Sequence, residues 1–164
     1  MPVVPLTLPA GSLCVLIGAP GSGKSTFAAH YPSTWRVCLD TYRQLATDSE
    51  ADQSGTGVAA RIQDLLVDAR LNRGLITLTD STNLAVPVRA GLLARARYWQ
   101  RPALAVLFDV PLDVAQTQNR ARSRVVPATV VRDLHQQLPT PGLLEAEGFG
   151  AVYRVSDLAL PARS

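Results

Sequence analysis

The chain has 164 residues, of which 47% are hydrophobic and 18% are charged, and its formal net charge is +3. This length suits one domain with a real core, and this composition excludes a disordered or collagen-like protein. Only two cysteines occur, so nothing indicates a disulfide framework. The mild positive charge permits a polyanionic partner without requiring one.

Neither a leader nor a membrane anchor is indicated by the sequence. The first twelve residues, "MPVVPLTLPAGS", are apolar but contain three prolines and lack a basic start, which makes a poor signal peptide. No apolar run approaches the roughly 18 residues that a membrane span needs. We therefore predict a cytoplasmic protein with no membrane contact, in which residues 1–12 form an N-terminal extension.

Five apolar runs predict strands, at residues 13–17, 36–39, 75–79, 103–108 and 151–155. Helical patterns lie between them, at residues 24–30, 57–72, 87–99, 111–122 and from 127 onward. We predict three inward helix faces; their residues are Val58, Ile62, Leu65, Leu66 and Ala69, then Val88, Leu92 and Ala96, then Val130, Val131, Leu134 and Leu138. Strands that alternate with helices predict an α/β fold with a parallel sheet covered on both faces.

The stretch "GAPGSGKST" follows the first strand and opens the first helix. It fits the pattern G-x-x-x-x-G-K-[ST], in which small residues let backbone N–H groups surround a phosphate. The only lysine of the chain lies within it, and a compact ammonium fits such a nest where the wide arginine fork does not. A serine hydroxyl follows that can bind Mg²⁺. The predicted nucleotide-binding residues are Gly18, Ala19, Pro20, Gly21, Ser22, Gly23, Lys24, Ser25 and Thr26.

Two charged residues follow the second strand in "LDTYR". Asp40 is predicted at the strand tip and Arg43 about one turn later, so that both can face one cleft. A kinase that phosphorylates an alcohol needs a carboxylate for the hydroxyl proton, and a cation if the acceptor carries its own phosphate. The alternative interpretation is a helix-capping aspartate and a solvated arginine.

Further polar residues end the third strand in "TLTDSTN". Asp80 is predicted to take a Walker-B-like role or to hold Arg43, and Thr82 and Asn83 add polar groups at the same edge. Capping and turn chemistry is the alternative for all three.

Three arginines stand close together in "NRARSRVVP". Arg120, Arg122 and Arg124 are too dense for one helix face, and we predict a hinged, arginine-rich lid at approximately 116–138 that closes on phosphates. A solvated basic turn is the alternative. Four more arginines, on or after the fourth helix, form either a solvated face or a nucleic-acid patch; they are Arg89, Arg95, Arg97 and Arg101.

Taken in order, "GAPGSGKST", "LDTYR", "DSTNL-x-x-P-x-R", "VLFDVP" and "NRxRxRxVP" resemble the kinase domain of polynucleotide 5′-hydroxyl kinases, the phage and bacterial end-healing enzymes. The resemblance covers roughly residues 13–155. It implies one P-loop kinase domain over 1–164, with a sheet of about five strands and an arginine-rich lid. Ser81 intervenes before Thr82, a spacing that resembles the bacterial branch.

This resemblance also implies roles for the candidate residues. Lys24 and Ser25 would bind ATP and Mg²⁺, Asp40 would be the general base, Arg43 would contact the acceptor's phosphate, and the lid arginines would bind the donor's phosphates. The acceptor would be a DNA or RNA 5′-hydroxyl end, and a phosphatase or ligase would be a separate partner. Two alternatives stay open: a kinase for a nucleoside, sugar or antibiotic, and a nucleotide-binding switch without an acceptor.

Overall fold

The computed structural model describes residues 5–158, so residues 1–4 of the predicted N-terminal extension and residues 159–164 lie outside it. Its core is one five-stranded sheet in which every neighbouring pair of strands is parallel, in the order β2-β3-β1-β4-β5. This confirms the predicted fold class. The strands are β1 (Leu13–Ile17), β2 (Arg36–Val37), β3 (Thr77–Asp80), β4 (Ala103–Leu107) and β5 (Ala151–Arg154).

Helices connect the strands and cover both faces of the sheet. The α-helices are α1 (Lys24–Ala28), α2 (Leu39–Thr47), α3 (Thr56–Asn72), α4 (Val86–Tyr98), α5 (Leu112–Arg120), α6 (Ala128–His135), α7 (Pro141–Glu147) and α8 (Val155–Leu158). The sequence did not predict α7 and α8, because both are too short to show a helical period.

Strand β1 shows why both faces are covered. All five of its residues are buried. Leu13, Val15 and Ile17 belong to one hydrophobic cluster, which includes residues of α3, α4 and α7. Cys14 and Leu16 belong to a second cluster on the other face, with residues of α1 and α8. Side chains alternate along a strand, so a central parallel strand can be apolar throughout.

Helix α3 is oriented differently from our prediction. Its buried residues are Ala59, Gln63, Val67 and Leu71, whereas Leu65 of the predicted inward face is 72% exposed. Val58 and Leu66 are also exposed, and only Ile62 of the predicted set packs against the core. The helix is predicted correctly, but its inner face was wrong.

Two smaller corrections concern α4 and α6. Val88 and Val130, both predicted inward, are exposed. Leu92, Ala96 and Val131 are buried as predicted.

The second strand is shorter than predicted. It ends at Val37, and α2 begins at Leu39 after Cys38 in extended conformation. Asp40 therefore lies in the first turn of a helix rather than at a strand tip. Within residues 5–158, no helix is both long enough and apolar enough to cross a membrane.

Candidate active site

The loop between β1 and α1 forms the floor of the site. Its first glycine, Gly18, donates its N–H to the carbonyl oxygen of Thr82 after β3, at 3.1 Å. Gly21 and Gly23 have φ of 80° and 101°, a region that side chains disfavour. A Cβ at Gly21 would also lie 2.8 Å from the backbone nitrogen of Asn119 in α5. Glycine is therefore required where this loop turns against α5.

Lys24 lies inside this loop and is 8% exposed. Its Nζ donates to the carbonyl oxygens of Gly18 and Ala19, both at 2.9 Å. The Lys24 pKa is lowered to about 8, chiefly by burial and also by Arg122, while Asp80 and Asp40 act in the opposite direction. A cation that is held only by dipoles and distant charges is available to a phosphate.

Ser25 and Asp80 form the pair that is able to hold Mg²⁺. The Ser25 hydroxyl donates to Asp80 Oδ2 at 3.1 Å, and the Asp80 side chain is 3% exposed. Mg²⁺ takes one or two protein oxygens and completes its shell with phosphate and water, so these two hard oxygen donors fit the ion. Arg36 shares the site, because its Nε donates to the same Oδ2 at 2.7 Å.

This arrangement distinguishes between the two roles predicted for Asp80. Its ion-pair partner is Arg36 of β2 and not Arg43, so the prediction that it holds Arg43 was wrong. Asp80 contacts Ser25 of the phosphate loop, which is the arrangement that the Walker-B-like alternative predicts. Arg36 was missed, since nothing in its spacing from Ser25 or Asp80 marks it.

Asp40 and Arg43 lie together on one side of α2. Three residues apart, they form an ion pair between Asp40 Oδ1 and Arg43 Nη2. Tyr42 points the other way and is buried in the core, which turns Asp40 and Arg43 toward the cleft. Asp40 acts electrostatically on Lys24, so the predicted acceptor and donor residues converge.

The lid arginines occupy three different positions. Arg124 lies with its Nη1 3.5 Å from Asp40 Oδ2, and its Nε lies 3.9 Å from Glu50 Oε1. Arg122 is near enough to Lys24 to influence its pKa. Arg120 is exposed and donates to Thr117 Oγ1 at 3.3 Å, within its own helix. Of the three predicted residues, Arg124 thus contacts Asp40 directly, and Arg122 acts on Lys24 electrostatically.

Asn119 joins the two ends of the lid loop, residues 121–127. Its Nδ2 donates to the carbonyl oxygen of Val126 at 2.7 Å, and its Oδ1 accepts from the Val126 N–H at 3.1 Å. Asn119 is buried, and its backbone is the one that Gly21 abuts. The lid loop is thus fastened beside the phosphate loop.

The Asn83 side-chain amide and the Thr82 carbonyl oxygen both bond to neighbouring backbone. Asn83 is buried, and its Nδ2 donates to the carbonyl oxygen of Leu16 at 2.7 Å and to that of Ser81 at 3.3 Å. Thr82 contributes its carbonyl oxygen to Gly18. These bonds are of the kind that the alternative interpretation, turn chemistry after β3, predicts.

Arg89 corrects both interpretations of the α4 arginines. It is 1% exposed and pairs with Glu147 of α7 through two hydrogen bonds, of 2.8 and 2.6 Å. Its Nη1 donates to the carbonyl oxygens of Asn83 and Leu84, at 3.1 and 2.7 Å. Arg89 thus stabilises the turn after β3 by bonding to its carbonyl oxygens.

Two of the other three arginines predicted on or after this helix also have partners. Arg95 pairs with Asp64 and Asp68 of α3, and Arg101 donates to the carbonyl oxygen of Leu71 at 2.7 Å.

The family model of the AAA domain matches residues 13–141, so the chain belongs to this family. No curated protein is similar enough to count as a relative. The fold and the loop around Lys24 define a P-loop protein of the kinase type, which supports nucleotide binding and phosphoryl transfer.

Three solved structures illustrate this class. A chain of the Pnkp1/Rnl/Hen1 RNA repair complex is similar with a TM-score of 0.69 and 22% identity, over 86% of this chain and 47% of that one. Kti12 of Chaetomium thermophilum, in complex with ADP-AlF3, is similar with a TM-score of 0.61 and 17% identity, over 87% of each chain. The Mycobacterium tuberculosis APS kinase CysC, in complex with AMPPNP and APS, is similar with a TM-score of 0.57 and 17% identity, over 96% of this chain and 92% of that one.

These matches confirm the resemblance predicted from the motifs at the level of the kinase fold. The chain spans about half the length of the RNA repair protein that it matches.

Proposed function

We propose that this protein transfers the γ-phosphoryl group of ATP to the 5′-hydroxyl of a DNA or RNA end. One observation carries the proposal: the Asp40 carboxylate pairs with the guanidinium of Arg43 and also acts electrostatically on the buried Lys24 ammonium. A base and an anion-binding group thus lie side by side at the edge of a phosphate-binding loop.

The donor half rests on the phosphate loop. Backbone N–H groups and the Lys24 ammonium surround the β- and γ-phosphates, and Arg122 adds a guanidinium from the lid loop. Ser25 and Asp80 would hold Mg²⁺, which when bound neutralises charge on those phosphates. Because each of these groups is in place before the reaction, they stabilise the charge of the transition state without reorganisation.

The acceptor half rests on α2. The attacking oxygen forms a bond to the γ-phosphorus, the bond from that phosphorus to the ADP oxygen breaks, and the hydroxyl proton passes to Asp40. Arg43 binds the phosphate that follows the terminal nucleoside of the acceptor. When that phosphate draws Arg43 away, Asp40 gains an oxygen that is free to accept the hydroxyl proton.

Two further facts support this acceptor class. The similar RNA repair chain belongs to a complex that also contains Rnl and Hen1, which favours separate partner proteins, such as a phosphatase or a ligase, for this chain as well. The protein also carries a net charge of +3, which suits a polyanion.

A kinase for a small anionic alcohol is the second candidate. The guanidiniums beside Asp40 bind any anion, including a carboxylate or a single phosphate. The similar APS kinase was solved with AMPPNP and APS, so the fold serves such substrates too. A switch without an acceptor is the weakest candidate, because it gives the pair of Asp40 and Arg43 no task.

The deciding experiment incubates the protein with γ-labelled ATP and Mg²⁺ against 5′-hydroxyl DNA and RNA oligonucleotides, and against a panel of nucleosides, sugars and aminoglycosides. We expect label on the oligonucleotides at a kcat/KM at least about 100-fold above any small molecule. Lys24→Ala serves as the inactive control, which shows that the activity belongs to this chain.

Two results would contradict the proposal. Transfer to a small molecule with none to oligonucleotides would establish the second candidate. Hydrolysis of ATP without transfer to any acceptor would establish the switch.

A further inference from the structure

Two arginines of the lid loop act on different charged residues of the cleft, Arg122 on Lys24 and Arg124 on Asp40 and Glu50. Arg122 is close enough to the Lys24 ammonium to oppose its protonation, and that ammonium lies at the donor's phosphates. Arg124, two residues later, contacts Asp40 and Glu50 on the acceptor side. In extended backbone, residues two apart share a face, so this division depends on the turn that the loop makes between them.

The contacts of Arg124 match those of Arg43. Arg43 pairs with one oxygen of the Asp40 carboxylate and Arg124 lies 3.5 Å from the other. Both also reach Glu50: Arg43 Nε donates to its carbonyl oxygen at 3.0 Å, and Arg124 Nε lies 3.9 Å from its carboxylate. Two guanidiniums from different elements thus meet at one point.

Glu50 is the group that an incoming anion would replace. It lies in the segment between α2 and α3, and its side chain is about one-third exposed. In the ligand-free protein, carboxylates of Asp40 and Glu50 satisfy the two guanidiniums. A phosphodiester offers two non-bridging oxygens that share one negative charge, so each guanidinium can bind one of them. Glu50 is instead held at 3.9 Å by a weaker, partly solvated contact.

We propose that the lid arginines divide between the two substrates: Arg122 binds the phosphates of the donor, and Arg124 binds, together with Arg43, the first phosphate of the acceptor. This inference rests on the proposed function, since it names which acceptor group the lid recognises. It replaces the expectation that all lid arginines serve the donor. The lid then closes fully only when both substrates are present, because each half of the loop needs its own anion.

The donor arm of the test is a binding measurement. Titration calorimetry gives the Kd of AMP-PNP with Mg²⁺ for the wild-type protein, Arg122→Ala, Arg124→Ala and the control Arg132→Ala, an exposed arginine of α6. We expect Arg122→Ala to weaken binding about tenfold, on the scale of one charged hydrogen bond. Arg124→Ala and Arg132→Ala should stay within about twofold of the wild-type Kd.

The acceptor arm uses two dinucleotides with a free 5′-hydroxyl, one with a phosphodiester and one with an uncharged methylphosphonate. The wild-type protein should favour the phosphodiester, and Arg124→Ala should lower this kcat/KM ratio about tenfold. Arg122→Ala should lower kcat/KM for both and leave the ratio unchanged.

Other results would overturn either the division of the lid arginines or the proposed function itself. An unchanged ratio in Arg124→Ala, or a loss of AMP-PNP affinity equal to that of Arg122→Ala, overturns the division of the lid. Absence of any phosphorylation by the wild-type protein, with AMP-PNP still bound, overturns the proposed function and with it the acceptor role of Arg124.

Discussion

Arg36 and Ser25 donate to the same carboxylate oxygen of Asp80, at 2.7 and 3.1 Å. An arginine thus lies where a divalent cation would be held, and the two positive charges compete for one buried carboxylate. We expect Arg36→Met to tighten Mn²⁺ binding roughly threefold in the presence of AMP-PNP, on the scale of a half-exposed ion pair. Electron paramagnetic resonance of free Mn²⁺ measures this directly, with Arg97→Met, an exposed arginine of α4, as the matched control. Weaker binding in Arg36→Met would show instead that Arg36 orients Asp80.

Asp40 is predicted to matter for transfer and not for nucleotide binding. Asp40→Asn keeps the size of the side chain but cannot accept the hydroxyl proton, so we expect kcat to fall by at least about 100-fold. The Kd of AMP-PNP should change by less than about threefold, because Asp40 lies on the acceptor side. Asp48→Asn, an exposed position at the end of the same helix, is the control. Near-normal turnover by Asp40→Asn would remove it as the base.

The pKa of Lys24 near 8 makes a prediction about pH. Below pH 8 the ammonium is charged with or without ligand, so AMP-PNP affinity should be flat between about pH 7 and 7.5. Above pH 8 the ligand-free amine loses its proton, and the bound phosphates must restore it. Affinity should then fall by up to about tenfold per pH unit, with proton uptake on binding. Calorimetry at pH 8.8 in two buffers of different ionisation enthalpy measures that uptake; none at this pH would contradict the lowered pKa.

The pair of Arg89 and Glu147 predicts a large effect on stability. Arg89→Ala leaves the Glu147 carboxylate and two backbone carbonyls without their donor, so the free energy of unfolding should fall by about 3–5 kcal/mol. Urea denaturation followed by circular dichroism measures this fall. Arg97→Ala removes an exposed arginine from the same helix and should cost less than about 0.5 kcal/mol. Equal effects of the two variants would show that the buried pair is energetically unimportant.

Gly21 predicts a coupling between the phosphate loop and the lid. Gly21→Ala places a Cβ 2.8 Å from the Asn119 nitrogen at a φ of 80°, so the loop must shift away from α5. We expect AMP-PNP affinity to fall at least about tenfold, because the backbone donors of the nest are displaced. Gly57→Ala is the control: that helical glycine has open space where a Cβ would be added. Unchanged nucleotide affinity in Gly21→Ala would exclude a tight contact there.

The loop around Lys24 and its flanking elements could be predicted from the sequence in detail. Strand β1 covers residues 13–17 as expected, and α1 begins at Lys24 as expected. The motif demands a strand before it and a helix after it, and it ties each residue to the geometry of one phosphate. A local pattern can be predicted when the chemistry that it serves is local as well.

The orientation of α3 could not be predicted in the same way. Periodicity predicts the helix, but two apolar stripes run along it, and the pattern favours the stripe with the larger residues. The sheet instead receives Ala59 and Gln63 beside Val67 and Leu71. The buried stripe carries a glutamine and an alanine, so the size and hydrophobicity of single residues did not decide which face is buried.

Contacts between residues that are far apart in the sequence were the main feature that could not be predicted. Arg36 meets Asp80 from 44 residues away, and Arg89 meets Glu147 from 58 away. Spacing along one helix or strand carries no information about such pairs. A buried arginine in a helix that also carries exposed arginines has no local signature, so Arg89 was counted with the exposed ones.

The clasp that Asn119 makes on Val126 turns the lid loop into a small closed ring. A loop whose ends are tied has few backbone conformations available, so the backbone positions of Arg122 and Arg124 are restricted relative to each other. The residue that ties the loop also lies against Gly21. The phosphate loop and the loop that carries these two arginines therefore share one fixed point.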